Sequence, residues 1–156
     1  MKFVCPLIVV ENIERSRNLY ESILGLKVIA DFGENITFEG PFSLHLKTHY
    51  QTLIDHKDIS FGSNAGELYF ESNGLESLAD KLQQEELEFV HDICEQPWRQ
   101  KVMRVYDYDK HILEIGESME HTAWRLSQEG LSIEAICKLT YLSEEMVEKS
   151  IKRNGK

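Results

Sequence analysis

The sequence predicts an α+β fold: two strand–helix–strand–strand–strand modules followed by a small all-helical extension. Three observations predict it. Residues 3–47 and 66–116 present the same order of apolar strand, amphipathic helix and three further strands. Each module opens on an apolar run (Phe3-Val-Cys-Pro-Leu-Ile-Val-Val10; Glu67-Leu-Tyr-Phe-Glu71) that meets an asparagine, Asn12 or Asn73, before its helix. After Gly116 the alternation stops and helical spacing takes over. One such module cannot cover its own concave face, whereas two copies can, and a ligand would occupy the cleft they enclose.

The first helix is expected over residues 13–24, where Ile13, Ser16, Tyr20, Ile23 and Leu24 share one face. Asn12 is a natural N-cap and Gly25 a natural C-terminal stop. Strands are expected at 27–31, 35–39 and 42–47, the last two separated by the turn Glu39-Gly-Pro41. In the last of them Leu44 and Leu46 alternate with Ser43, His45 and Lys47. Residues 48–64 hold no sustained period and read as the linker between modules of about 1–48 and 65–117. In the second module a helix is expected over 75–84, burying Leu75, Leu78, Ala79 and Leu82, with strands at 88–93, 101–107 and 112–116. The loop 94–100 carries Pro97 and Trp98. The extension, 118–156, reads as three short helices, broken at Gly130 and capped at Ser132 and Ser143.

A chain of 156 residues with 42% apolar content suits one soluble domain with a small appendage. No apolar run approaches the roughly 20 residues that span a bilayer, and no secretory leader is evident. Cys5, Cys94 and Cys137 are odd in number and lack a Cys-x-x-Cys pair, so neither a disulfide framework nor a zinc knuckle is expected. A reduced, cytoplasmic setting follows as the expectation. The net charge of −10 argues against non-specific nucleic-acid binding and is compatible with a cationic ligand. The extension holds six acidic and six basic residues, so the acidic excess lies in residues 1–117.

Two sets of residues carry a resemblance. The run Val10-Glu-Asn-Ile-Glu-Arg-Ser16, then Leu19-Tyr20, then Leu24-Gly-Leu26 resembles the opening of vicinal-oxygen-chelate proteins. These form the glyoxalase / bleomycin-resistance / extradiol-dioxygenase superfamily. Gln96-Pro-Trp98, Val105-Tyr-Asp107 and His111-Ile-Leu-Glu114 resemble its closing signature, which usually reads Pro-Trp-Gly, then Asp-Pro-Asp-Gly-His, then Glu. Here Asn12 replaces an Asp and Leu19 an aromatic, Arg99 replaces the first Gly, and Tyr108 and Lys110 depart from the turn. The resemblance covers residues 1–117 and implies two βαβββ modules, each curling a mixed sheet around a shared cleft.

It also implies a ligand set. In metal-dependent relatives, four side chains from the first and last strands of the modules hold one divalent ion. The matching positions here are Cys5, His45, Glu67 and Glu114, of which only Glu114 has the family's usual residue type. A thiolate, an imidazole and two carboxylates would suit Zn²⁺, Ni²⁺ or Fe²⁺. Such an ion would polarise vicinal oxygens of a small substrate while Glu67 or Glu114 moved a proton, the chemistry of a lyase or isomerase. A dioxygenase needs two histidines at the metal, and only His45 falls on a ligand position. The alternative has no metal: Cys5 packs as an apolar residue and the cleft binds a cationic drug between rings and acids. Trp98, Tyr69, Phe38, Phe42 and Tyr106 would supply the rings, with Glu67 and Glu114 the charge. For His49 and His56 in the linker, and for His91, His111 and His121, no partner four residues away that would make a metal pair is expected.

Gly130–Val147 resembles a helix-turn-helix, which opens a third reading as a ligand-sensing regulator. Glu144 and Glu145 head its last helix and would repel phosphates. A helical appendage on the barrel or at a homodimer interface is the plainer expectation, homodimers being common among the chains it resembles.

Overall fold

The computed structural model describes residues 1–40 and 42–154. Pro41 of the expected turn, and Gly155 and Lys156 of the extension, lie outside the described residues. The fold is α+β, with two four-stranded mixed sheets of identical connectivity. The first contains β1 (Leu7–Val10), β2 (Val28–Asp31), β3 (Asn35–Phe38) and β4 (Phe42–Leu46) in the order β1-β4-β3-β2. The second contains β5 (Glu67–Glu71), β6 (Phe89–Glu95), β7 (Lys101–Tyr106) and β8 (Ile112–Gly116) in the order β5-β8-β7-β6. In each, the opening strand lies parallel to the last and the other pairs are antiparallel. The chain divides into two compact units, Met1–Ala65 with Asp107–His111, and Gly66–Tyr106 with Ile112–Lys156.

In the first unit, α1 (Ile13–Arg17) starts where Asn12 accepts a hydrogen bond from the Arg15 N–H at 3.0 Å. The helix expected to continue to residue 24 instead widens into a π-helical stretch, Asn18–Ile23. Over six residues the apolar spacings of the two helix types overlap, so periodicity does not separate them. Gly25, at φ +77°, turns the chain so that the Leu26 N–H closes on the Tyr20 carbonyl at 2.9 Å. Leu19 and Tyr20 are fully buried, with Val10, Ile36, Phe38 and Leu44. A second difference follows β4. The expected linker begins with a helix, α2 (Lys47–Leu53). This helix buries none of its residues, so it carries no apolar stripe for a sequence pattern to reveal.

In the second unit, α3 (Leu75–Gln84) buries Leu75 and Leu82, and Met103, Val105, Leu113 and Ile115 are buried on β7 and β8. Asn73 does not repeat the capping role of Asn12. Its side chain accepts from the Ser118 N–H at 3.1 Å and hydroxyl at 3.2 Å, at the entry to α4 (Met119–Gln128). α5 (Ile133–Thr140) and α6 (Glu144–Asn154) complete the extension, with Ser132 and Ser143 accepting from backbone N–H groups three residues on. Ala123, Leu126, Ile136 and Val147 form their shared core.

Arg125 of α4 fastens this bundle to the sheet. Its guanidinium donates to Glu117 at 2.6 Å, to the Arg99 carbonyl at 2.6 Å and to Glu129 at 2.8 Å. Burial alone would raise the Glu117 carboxyl, but hydrogen bonds from Arg125 and from the Lys101 N–H bring it below its ordinary value. Glu117 in turn holds Arg125 more firmly protonated. Among the described residues no helix is long and apolar enough to cross a membrane.

Candidate functional site

Of the four implied ligand positions, Cys5 and His45 belong to the first unit, Glu67 and Glu114 to the second. Cys5 precedes β1, because the ladder begins only after Pro6. Its thiol lies 3.7 Å from the Ser43 hydroxyl, which is 2.8 Å from that of Thr37. His45 is buried on β4, opposite Asn35. The Asn35 amide donates to His45 Nδ1 at 3.2 Å, leaving Nε2–H to donate to His49 Nδ1 at 2.8 Å. Burial, and then the neighbouring His49, push the His45 imidazole below its ordinary value. His49 reaches this position because α2 turns directly off β4, which a linker reading of residues 48–64 conceals. Phe38 and Phe42 stack at 5.1 Å between centroids and meet the Tyr20 ring. With 0% and 5% of their surface exposed, both are core side chains of the first unit.

In the second unit a polar row crosses the whole sheet. His91 of β6 stands opposite Arg104 of β7, and Arg104 opposite Glu114 of β8. Glu67 of β5 completes it. Arg104 Nε donates to Glu67 at 2.9 Å, one terminal nitrogen pairs with Glu114, and the other donates to His91 Nε2 at 3.3 Å. His91 then presents Nδ1–H to the Asp92 carbonyl at 2.8 Å. Arg104 thus holds both carboxylates expected to bind a metal. Charges of +2 and +1 held about 4 Å apart repel by about 8 kcal/mol at an effective dielectric of about 20. As arranged, the two carboxylates fit a guanidinium and do not also fit a divalent ion. Among the described residues, no three His, Cys, Asp or Glu side chains gather as a metal-holding group.

Of the rings expected at a ligand site, Tyr69 stands beside this row and Trp98 is tied to Tyr69 through Gln100. Tyr69 is the register partner of Glu114 and is 48% exposed. Trp98 donates its indole N–H to Gln100 at 2.8 Å, and Gln100 donates to the Tyr69 hydroxyl at 2.9 Å. Gln100 is buried and also donates to the Glu117 carbonyl at 2.7 Å. It reaches this position because Gly116 has no side chain: a Cβ there would lie 2.8 Å from Gln100 Nε2. Desolvation raises the Tyr69 phenol, against the lowering effect of Gln100. Tyr106 ends β7 two residues beyond Arg104, with its N–H on the Glu88 carbonyl. Sequence reasoning missed Arg104, Gln100 and His49. Two signals were available: a lone charge inside the apolar run Val102-Met-Arg-Val105, and the i, i+4 spacing of His45 and His49, a pair not expected from the sequence.

The closing signature has a structural role. In Asp107–His111, Asp107 accepts from the N–H groups of Asp109 at 3.0 Å and His111 at 2.8 Å. Asp109 accepts from the Glu11 N–H at 3.1 Å. Arg99 and Lys110, which replace glycines of the resembled pattern, adopt φ of +72° and +64°. The conformation that glycine serves is therefore retained at both positions without glycine.

Several solved structures share this fold. A protein of unknown function from Agrobacterium tumefaciens is 34% identical, aligned over 76% of this chain and 94% of its own, with a TM-score of 0.68. A glyoxalase/bleomycin resistance protein/dioxygenase family enzyme from Burkholderia phytofirmans is 11% identical over 73% and 96%, with a TM-score of 0.64. A glyoxalase-related enzyme from Fulvimarina pelagi is 17% identical over 75% and 88%, with a TM-score of 0.62. No curated protein matches the chain. The glyoxalase-like domain family matches residues 3–120, spanning both sheets. With its doubled sheet, its paired signatures and this match, the chain belongs to the glyoxalase-like domain family of the vicinal-oxygen-chelate superfamily.

Proposed function

We propose that the chain binds a small, cationic, aromatic molecule on the polar face of its second sheet, without a metal. The observation that supports this best is the Trp98–Gln100–Tyr69 chain of hydrogen bonds, which links the loop ring of Trp98 to the Tyr69 ring beside Glu114. Glu71, Glu67 and Glu114 carry three negative charges against one on Arg104, so the face keeps a net attraction for cations. A desolvated cation over such rings gains on the order of 0.5–2 kcal/mol per ring.

The rival within the same family is a metal-dependent lyase or isomerase acting on a small oxygenated substrate, with Cys5, His45, Glu67 and Glu114 around one divalent ion. There a bound metal would supply Lewis-acid polarisation. That reading requires Arg104 to leave both carboxylates. Pairing of two chains into a homodimer accompanies either reading and is checked by light scattering.

Calorimetry and thermal shift with aromatic quaternary-ammonium compounds, against uncharged isosteres, test the proposal. Binding of the cations alone, weakened at least tenfold by Trp98→Ala, is the expected result. Binding that Trp98→Ala leaves intact, or a preference for the uncharged isosteres, refutes it.

A further inference from the structure

We infer that Arg104 is a built-in cation standing where a divalent ion would sit between Glu67 and Glu114, and that it is the element that bars metal from these carboxylates. Three features carry the inference. One residue from each of the four strands takes part: His91, Arg104, Glu114 and Glu67. Two of the three links lie on directly opposed register pairs, so the sheet itself sets their spacing. All three guanidinium nitrogens are engaged, on three different partners. A planar fork can do this where a point charge such as lysine cannot.

A side-chain rotation that freed Glu114 for an ion would break the Glu67 and His91 contacts as well. Glu114 is 8% exposed, so its charge needs a compensating partner in the folded chain. Arg104 meets that need at all times, where a metal would meet it only when bound. The carboxylate expected at the last-strand position is thus kept in type at Glu114, but recruited together with Glu67 to a permanent partner.

The inference concerns the sheet face proposed above for ligand binding, and its metal-free half rests on that reading. Its test uses the divalent ion alone. Failure to bind aromatic cations therefore leaves it standing, and its own failure leaves ring binding to be judged separately.

The experiment is Co²⁺ and Zn²⁺ titration of the unmodified protein, Arg104→Ala, Glu114→Gln and the double variant, read by calorimetry and by Co²⁺ visible absorption. The folded Arg104→Ala variant is expected to gain about one equivalent, bound at least 100-fold more tightly than by the unmodified protein, and to lose it when Glu114→Gln is added. An Arg104→Ala protein that folds and gains nothing overturns the inference. The unmodified protein and Glu114→Gln give a second measurement that does not depend on Arg104→Ala folding. Equal metal affinity in these two upholds the inference; a loss of tenfold or more in Glu114→Gln shows the ion already reaching the carboxylate and overturns it.

Discussion

Tyr20 donates its hydroxyl to Asp107 at 2.8 Å, joining residues 87 positions apart in the chain. One lies in the π-helical stretch after α1, the other opens the turn between β7 and β8. Burial, and then the Asp107 charge, hold the Tyr20 phenol well above its ordinary value. Tyr20→Phe keeps the ring and removes the donor. It is expected to destabilise the protein by about 1.5–3 kcal/mol, the range for a hydrogen bond to a charged group. Urea unfolding measures this, and a change below about 0.5 kcal/mol would mean the contact is energetically idle.

Acidification is expected to weaken the fold in two windows. His45 has a folded value below its ordinary 6.5, so its stability contribution is complete above that pH and declines as pH falls through it. Glu117 is held below 4.5, so its contribution persists above 4.5 and is lost as pH drops through the lower folded value. Asp109 acts in the opposite sense. Burial raises it from 3.8, so its contribution is complete below 3.8 and is lost as pH rises through the folded value. Unfolding free energy measured from pH 3 to 8 should show the acid limb shrink in Glu117→Gln and the limb near neutrality shrink in His45→Gln. A profile unchanged in both variants would contradict this assignment.

Gly116→Ala should damage the ring scaffold while leaving the carboxylate row in place. The added methyl would lie 2.8 Å from Gln100 and 3.1 Å from Val102. Overpacking of this kind costs about 1–3 kcal/mol. Because Gln100 holds the Trp98 indole, tryptophan fluorescence should shift in the folded variant. Loss of stability with unchanged emission would place the strain on Val102 alone.

Lys110→Gly is expected to stabilise the chain by about 0.5–1 kcal/mol. Relief of a left-handed non-glycine residue is worth about 1–2 kcal/mol, and the greater freedom of glycine in the unfolded chain offsets part of it. Thermal and urea unfolding decide the sign, and destabilisation would mean that the Lys110 side chain matters more than its backbone.

The doubled architecture was legible because β3 and β4 alternate apolar and polar residues and because both signatures fall at strand ends. The unread parts share a physical cause. Helix α2 buries nothing, so no periodicity betrays it, and with it went the His45–His49 contact. Phe38 and Phe42 look alike as pocket rings or as core, and only the stacking against Tyr20 decides. Arg104 matters through three partners on three other strands, a relationship set by register and invisible to spacing along one strand. Cys5 and Glu67 occupy similar places ahead of Asn12 and Asn73, yet only Glu67 lies within a ladder.

The family match ends at residue 120, only two residues into α4, while Arg125 reaches back from that helix to Glu117 and to the Arg99 carbonyl. The seam between the shared domain and what this chain adds is therefore bridged by the hydrogen bonds of one side chain. Cutting at residue 117 would leave a buried acid facing no counter-charge beside the loop that carries Trp98. The appendage thus shares one guanidinium with the loop next to Trp98, a tether as well as an addition.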